Sequence, residues 1–128
     1  MSRTPFSHYR LVAALLTGVG GAWVLRRVHR VEVAGQSMSP TLLPGDRLLV
    51  IRGRRARPGD LVTVPDPRTP GRVVVKRVAT VGAGTVEVRG DNPAASTDSR
   101  IFGPVLAASI GGRVVYRYYP ENRRGRPR

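Results

Sequence analysis

The sequence predicts a compact, mostly antiparallel β domain, a coiled sheet or barrel, preceded by one N-terminal apolar helix. Three observations predict it. Short β-branched runs recur after residue 28, namely HRVEVAG, DRLLVIRG, DLVTVPD, RVVVKRVATV, GTVEVRG and GRVVYRYYP. Gly, Pro and Asp punctuate them, the spacing of strands and turns in small all-β folds. Only residues 11–25, LVAALLTGVGGAWVL, form a long apolar stretch without charge. At 128 residues the chain suits a single core.

Taken in order, the apolar stretch reads as a membrane anchor. Arg10 precedes it, Arg26 and Arg27 follow it, and Tyr9 and Trp23 sit near its ends where interfacial aromatics belong. As a helix it would reach about 22 Å against a hydrocarbon core of about 30 Å, so spanning needs snorkelling arginines or local thinning. Gly18, Gly20 and Gly21 weaken the helix. A cleaved signal peptide, with a poor cleavage site at Gly20 and Ala22, and a buried hydrophobic helix are the rival readings. Arg3 and Arg10 with the amino terminus nearly balance Arg26, Arg27 and Arg30, a margin that tilts the body toward the cytoplasmic face.

The strand runs divide the rest. Pro44-Gly45-Asp46 and Pro58-Gly59-Asp60 are similar turns, each followed by an apolar run. Residues 65–71 form an exposed loop, and residues 121–128, ENRRGRPR, read as a basic disordered tail. The organisation is then an N-terminal segment over 1–30 with its anchor at about 11–25, a core over 31–120 and the tail.

Composition bounds the chemistry. The chain has 22 Lys and Arg against 8 acidic residues, a formal charge of +14, which suits nucleic acid, an anionic membrane or an acidic partner without choosing among them. There is no cysteine, which excludes disulfides and thiol catalysis, and the two histidines lie far from the acidic cluster, which argues against zinc. Aromatic residues are 5% of the chain, and Tyr116, Tyr118 and Tyr119 cluster near its end, so the stacking platform of a single-strand nucleic-acid binder is missing.

Lys76 is the only lysine; every other basic residue is arginine. A guanidinium stays protonated, whereas an amine buried among apolar neighbours can lose its proton and act as a base. Strand alternation puts Val74, Lys76 and Val78 on one face, opposite Val73, Val75 and Arg77. A base needs a nucleophile, and Ser37 follows a strand and a Gly-Gln turn where Pro40 and Thr41 break away. The same serine, with Ser39, also suits an ordinary turn. The segment 90–105, GDNPAASTDSRIFGPV, is dense in donors and acceptors and suited to orienting an amine, and otherwise is a polar loop.

Together these segments resemble signal peptidase I, the membrane-bound serine–lysine endopeptidase family. SMSPTL at 37–42 is similar to its nucleophile box, GDRLLV at 45–50 to the following strand, VVVKRVA at 73–79 to its general-base box and GDNPAASTDSR at 90–100 to its last box. The resemblance implies a signal peptidase-like catalytic core with Ser37 as nucleophile and Lys76 as general base. It implies Ser96 as the hydroxyl that orients the lysine, Asp98 and Arg100 as a structural ion pair near the site, and Asp91 and Asn92 as shapers of the same loop. Gly35 stands where some members carry a serine that donates to the oxyanion, which leaves the backbone N–H of Ser37, with Gly35 or Gln36, as candidate donors. No cofactor or metal is implied.

Only 13 residues separate Lys76 from Gly90, too few for the second β domain of larger members. The short chain and its last box resemble the subgroup that matures nickel-type superoxide dismutase, so the expected substrate is that precursor's leader peptide. The alternative is a general signal peptidase acting on secretory preproteins. Self-cleaving repressors share the serine–lysine chemistry but need a DNA-binding module, and here the apolar segment occupies its place.

Overall fold

The computed structural model describes residues 26–128. Among them no helix is long and apolar enough to cross a membrane, and the apolar stretch at 11–25 lies outside the described residues. The predicted runs become strands β1 (Val28–Glu32), β2 (Arg47–Ile51), β3 (Leu61–Pro65), β4 (Val73–Val81), β5 (Thr85–Arg89) and β7 (Gly112–Tyr119), with a two-residue β6 (Val105–Leu106) between the last two. All pair antiparallel in one sheet of order β1-β2-β7-β3-β4-β5-β6. Among the described residues β1 pairs only with β2, and β6 only with β5, so their sheet does not close and the barrel alternative is corrected to an open, coiled sheet.

Register irregularities on β2 and in the β4–β5 pairing supply the coiling, since a bulged strand bends and twists more sharply. The curl splits the core in two. One cluster gathers Val33, Met38, Leu42, Leu48, Val50, Leu61, Val75 and Val114; the other gathers Val62, Val64, Val78, Val86 and Val88. β4 feeds both, with Val75 in the first cluster and Val78 in the second, as period-2 alternation requires. β3 and β7 meet over only two residue pairs, Val62 with Arg113 and Thr63 with Gly112, so the halves of the sheet are joined at a narrow seam.

The two Pro-Gly-Asp turns are built alike. Gly45 and Gly59 both take φ +90, and Asp46 and Asp60 each accept a hydrogen bond from the N–H three residues earlier, at Leu43 and Arg57. Two expectations need correction. Segment 90–105, read as neither strand nor helix, holds a 3₁₀ turn at Pro93–Ala95, one helical turn α1 (Ser99–Phe102) and β6. Asp98 caps α1 by accepting from the Arg100 N–H, and Gly103 at φ +83 ends it.

The expected disordered tail is the second. Glu121–Arg123 form a 3₁₀ turn, and Gly125, at φ +140, exchanges both backbone hydrogen bonds with Arg117 of β7. Composition suggested disorder because the segment lacks apolar residues. The chain instead spends its charge on a buried acid, with Arg123 Nη1 2.8 Å from Oδ1 of Asp46.

Thr63, on the seam strand, is fully buried and its Oγ1 has no hydrogen-bond partner among the described residues. A buried hydroxyl left unpaired costs about 1–3 kcal/mol. Thr63→Val keeps the shape and removes the hydroxyl, so it should raise the urea midpoint of unfolding, by about 1 kcal/mol of stability.

Candidate active site

Lys76 occupies the middle of β4, paired with Val62 of β3, and is 2% exposed. Val74 and Val78 share its face, as alternation requires, and belong to the second core cluster or pack against it. Burial among these valines pushes the amine below the ordinary lysine value. Asp98 opposes that shift through space, while Arg68 and Arg100 reinforce it. The net result is an amine that gives up its proton more readily than an exposed lysine does.

Its partner is Ser96, whose Oγ accepts from Lys76 Nζ at 2.9 Å and donates to Asp98 Oδ2 at 2.8 Å. The direction of this chain is fixed by Asp98. That carboxylate is 1% exposed and also accepts from Arg100 Nε and Nη2, from the Arg100 N–H and from the Gly90 N–H. The guanidinium first of all, then these hydrogen bonds, hold Asp98 far below the usual carboxylate range despite its burial. An always-ionised Asp98 can only accept, so the Ser96 proton points to it and the Ser96 lone pair faces the lysine. One N–H of a neutral Lys76 is spent on Ser96, leaving its own lone pair free for another proton.

Ser37 lies in the turn after β1, half-buried, and lines one cleft of about 90 Å³ with Lys76. Residues 31–38 form one wall and residues 72–76 the other, although β1 and β4 are not neighbours in the sheet. The coiling of the sheet is what brings them together. Ser37 Oγ makes no hydrogen bond among the described residues, so its hydroxyl is not committed to another partner in the cleft. Gly35 lines the same cleft, and a Cβ there would meet nothing within 4 Å.

The last box is stitched to the Ser37 turn by its backbone. Asn92 N–H donates to the Ser37 carbonyl at 2.9 Å, and Asn92 Nδ2 to the Gln36 carbonyl at 3.2 Å. Asp91 takes Arg77 Nε and Nη2, both at 2.8 Å, and the Thr41 hydroxyl at 2.6 Å. A single carboxylate thus ties the residue beside Lys76 to the loop beyond Ser37. Every predicted site residue is therefore gathered in one region, with Asp98 and Arg100 beneath Ser96 and Asp91 and Asn92 beside Ser37.

Several contributors escaped sequence reasoning. Thr41 and Arg77 are the partners of Asp91, and Arg68 bridges Asp66 to Thr97 Oγ1, bracing the 66–72 loop against the last box. Arg68 and Arg72 line the cleft. Arginine is so common in this chain that no single one carried a signal. Gly90 was legible as part of a motif but its reason was not: a Cβ there would press on the Ser96 side chain and come within 2.6 Å of the Ser37 carbonyl oxygen. Gly90→Ala should therefore destabilise the fold by about 1–3 kcal/mol in urea unfolding, as overpacking does, and should separate Ser96 from Lys76.

Comparison with known proteins identifies the family of the chain. The chain is 33% identical to the mitochondrial ATP-independent inner membrane protease subunit 1a of Arabidopsis thaliana, over 93% of this chain and 86% of that protein. It is 28% identical to mitochondrial inner membrane protease subunit 2 of Danio rerio, over 77% and 68% of the two chains, and 32% identical to subunit 1 of Schizosaccharomyces pombe, over 69% and 71%. The family model described as signal peptidase, peptidase S26, matches residues 8–92 and 79–119, which contain the whole Ser37, Lys76 and Ser96 constellation. The chain belongs to the signal peptidase family, peptidase S26.

Proposed function

We propose that this signal peptidase-like protease removes N-terminal leader peptides with Ser37 as nucleophile and Lys76 as general base. The observation that carries the reading is a lone lysine, buried to 2% exposure, held by a hydroxyl 2.9 Å away and opening on the same cleft as Ser37. An unassisted serine is a weak nucleophile, and a neutral amine is the base it needs near pH 7.

The steps follow. An extended leader lies along β1 at its Ser37 end, since β1 is an edge strand among the described residues and main-chain hydrogen bonds can hold a peptide there. Lys76 Nζ takes the Ser37 proton as Oγ adds to the scissile carbonyl, and the backbone N–H of Ser37 donates to the oxyanion. Lys76 then passes its proton to the departing amine, the C–N bond breaks, and the leader remains as an ester on Ser37. Water, deprotonated by Lys76, cleaves the ester and Ser37 recovers its proton. Ser96 keeps the amine oriented throughout, and Asp98 keeps Ser96 oriented.

For the substrate we favour leaders of exported or membrane-inserted precursors. The three relatives named above are inner membrane proteases, and none of their names refers to dismutase maturation. That moves the reading from the nickel-type superoxide dismutase precursor to the general signal peptidase alternative. The 11–25 stretch serves as the anchor that keeps the cleft near the bilayer, with the division into anchor segment and protease core near residue 30.

The test is mass spectrometry of precursors incubated with detergent-solubilised full chain. A secretory-type precursor cut after its leader supports the proposal; cutting of a nickel-type dismutase precursor alone would return the substrate to the maturase reading; neither being cut would sink both. Ser37→Ala and Lys76→Ala should each abolish cleavage while circular dichroism stays native. Lys76→Arg should fail equally, because a guanidinium does not deprotonate. Ser96→Ala should be slower yet measurable, since it orients and does not react.

The pH profile has a definite sign. The active form of Lys76 is unprotonated, so kcat/KM should rise with pH through its pKa, and because burial lowers that pKa the rise should be centred below the value of an exposed lysine. A limb centred on the ordinary lysine value would contradict the assignment.

A further inference from the structure

The loop that carries Ser37 returns to the sheet at Asp46, and what closes it comes from the other end of the chain. Asp46 is 1% exposed and accepts from three directions: the Leu43 N–H at 2.9 Å, Arg117 Nη1 at 3.3 Å and Arg123 Nη1 at 2.8 Å. The same two guanidinium groups also reach the Thr41 carbonyl, Arg117 at 3.0 Å and Arg123 at 3.4 Å. Arg117 belongs to β7, but Arg123 arrives only because the chain folds back after Tyr119. Gly125 locks that return on Arg117, Arg117 Nε donates to the Arg123 carbonyl, and Arg124 Nε donates to the Tyr118 carbonyl.

Thr41 is thus gripped on both sides. Its carbonyl is held by Arg117 and Arg123, and its hydroxyl donates to Asp91, which pairs with Arg77 next to Lys76. A continuous run of charge-assisted bonds therefore joins the C-terminal segment, the Ser37 loop and the strand of the base. We propose that residues 119–125 are a strap that positions the Ser37 loop, with Arg123 as its positioning residue. This rests on the reading of Ser37 as nucleophile. Its argument is geometric: Arg123 bridges a side-chain carboxylate and a main-chain carbonyl of one loop, a fork that fixes orientation as well as distance. Serine catalysis needs the hydroxyl held within fractions of an ångström of the base, and a loop freed on one side loses that.

The test compares wild type with Arg123→Ala and Arg123→Lys in the full-length chain, by leader-cleavage kinetics and by hydrogen exchange. In Arg123→Ala, kcat should fall by about tenfold to a hundredfold with KM within about twofold, and the rising pH limb should stay in place because Lys76 is untouched. Exchange should speed up by about tenfold at the amides of Leu42, Leu43 and Gly45, which close the loop on Met38, Asp46 and Val33, while β4 keeps its protection. Arg123→Lys should recover part of kcat, since an ammonium reaches Asp46 but cannot hold Asp46 and Thr41 together.

Exchange that is unchanged, or that rises equally along β4, would overturn the strap. So would full kcat in a variant whose melting temperature alone has dropped. If wild type cuts no leader but exchange loosens only around residues 42–45, the cleavage reading falls and the strap stands.

Discussion

The arrangement hangs on one carboxylate whose charge cannot be switched off. Asp98 is buried, yet the Arg100 guanidinium and the N–H groups of Gly90 and Arg100 make ionisation favourable. A buried ion is tolerated only when its lone pairs are filled, and here they are. Because Asp98 accepts and never donates, the Ser96 hydroxyl has one orientation, and because Ser96 has one orientation, Lys76 does as well. Polarity is thus transmitted from the partly exposed Arg100 guanidinium, through a buried carboxylate and a hydroxyl, to the amine inside.

The amine itself is the contrasting case. Among the described residues Lys76 has no carboxylate in hydrogen-bond contact, only a hydroxyl, so desolvation outweighs the more distant attraction of Asp98. Placing Ser96 between the carboxylate and the amine is what achieves this. A direct ion pair would favour the protonated amine, whereas a hydroxyl spacer conveys geometry with little charge stabilisation.

Rigidity comes from the same chemistry repeated around the cleft. Asp91 with Arg77 and Thr41, Asp66 through Arg68 with Thr97, and Asp46 with Arg117 and Arg123 each join segments far apart in sequence. With two modest apolar clusters and a two-pair seam between the halves of the sheet, packing alone leaves the loops underdetermined. The excess of arginine over acid has a structural meaning here: the few buried acids are outnumbered, so each is saturated by forked donors, and the remaining charge stays on the surface.

What could be read from the linear chain was whatever depends on near neighbours. The β-branched runs, the Pro-Gly-Asp turns, the valine face around Lys76 and the singularity of that lysine are period-2 or residue-type signals, and they led to six of the seven strands and to Lys76 with Ser37, while the resemblance to signal peptidase I supplied the other candidate site residues. Whatever depends on which distant groups meet was decided by tertiary structure. Coiling of an open sheet placed residues 31–38 against residues 72–76, the two-residue β6 exists only because β5 offers it an edge, and residues 121–125 are ordered only because Asp46 and Arg117 receive them. Propensity and periodicity are properties of a few consecutive residues; the pairing of one arginine among twenty-one with a particular acid depends on the folded path of the whole chain.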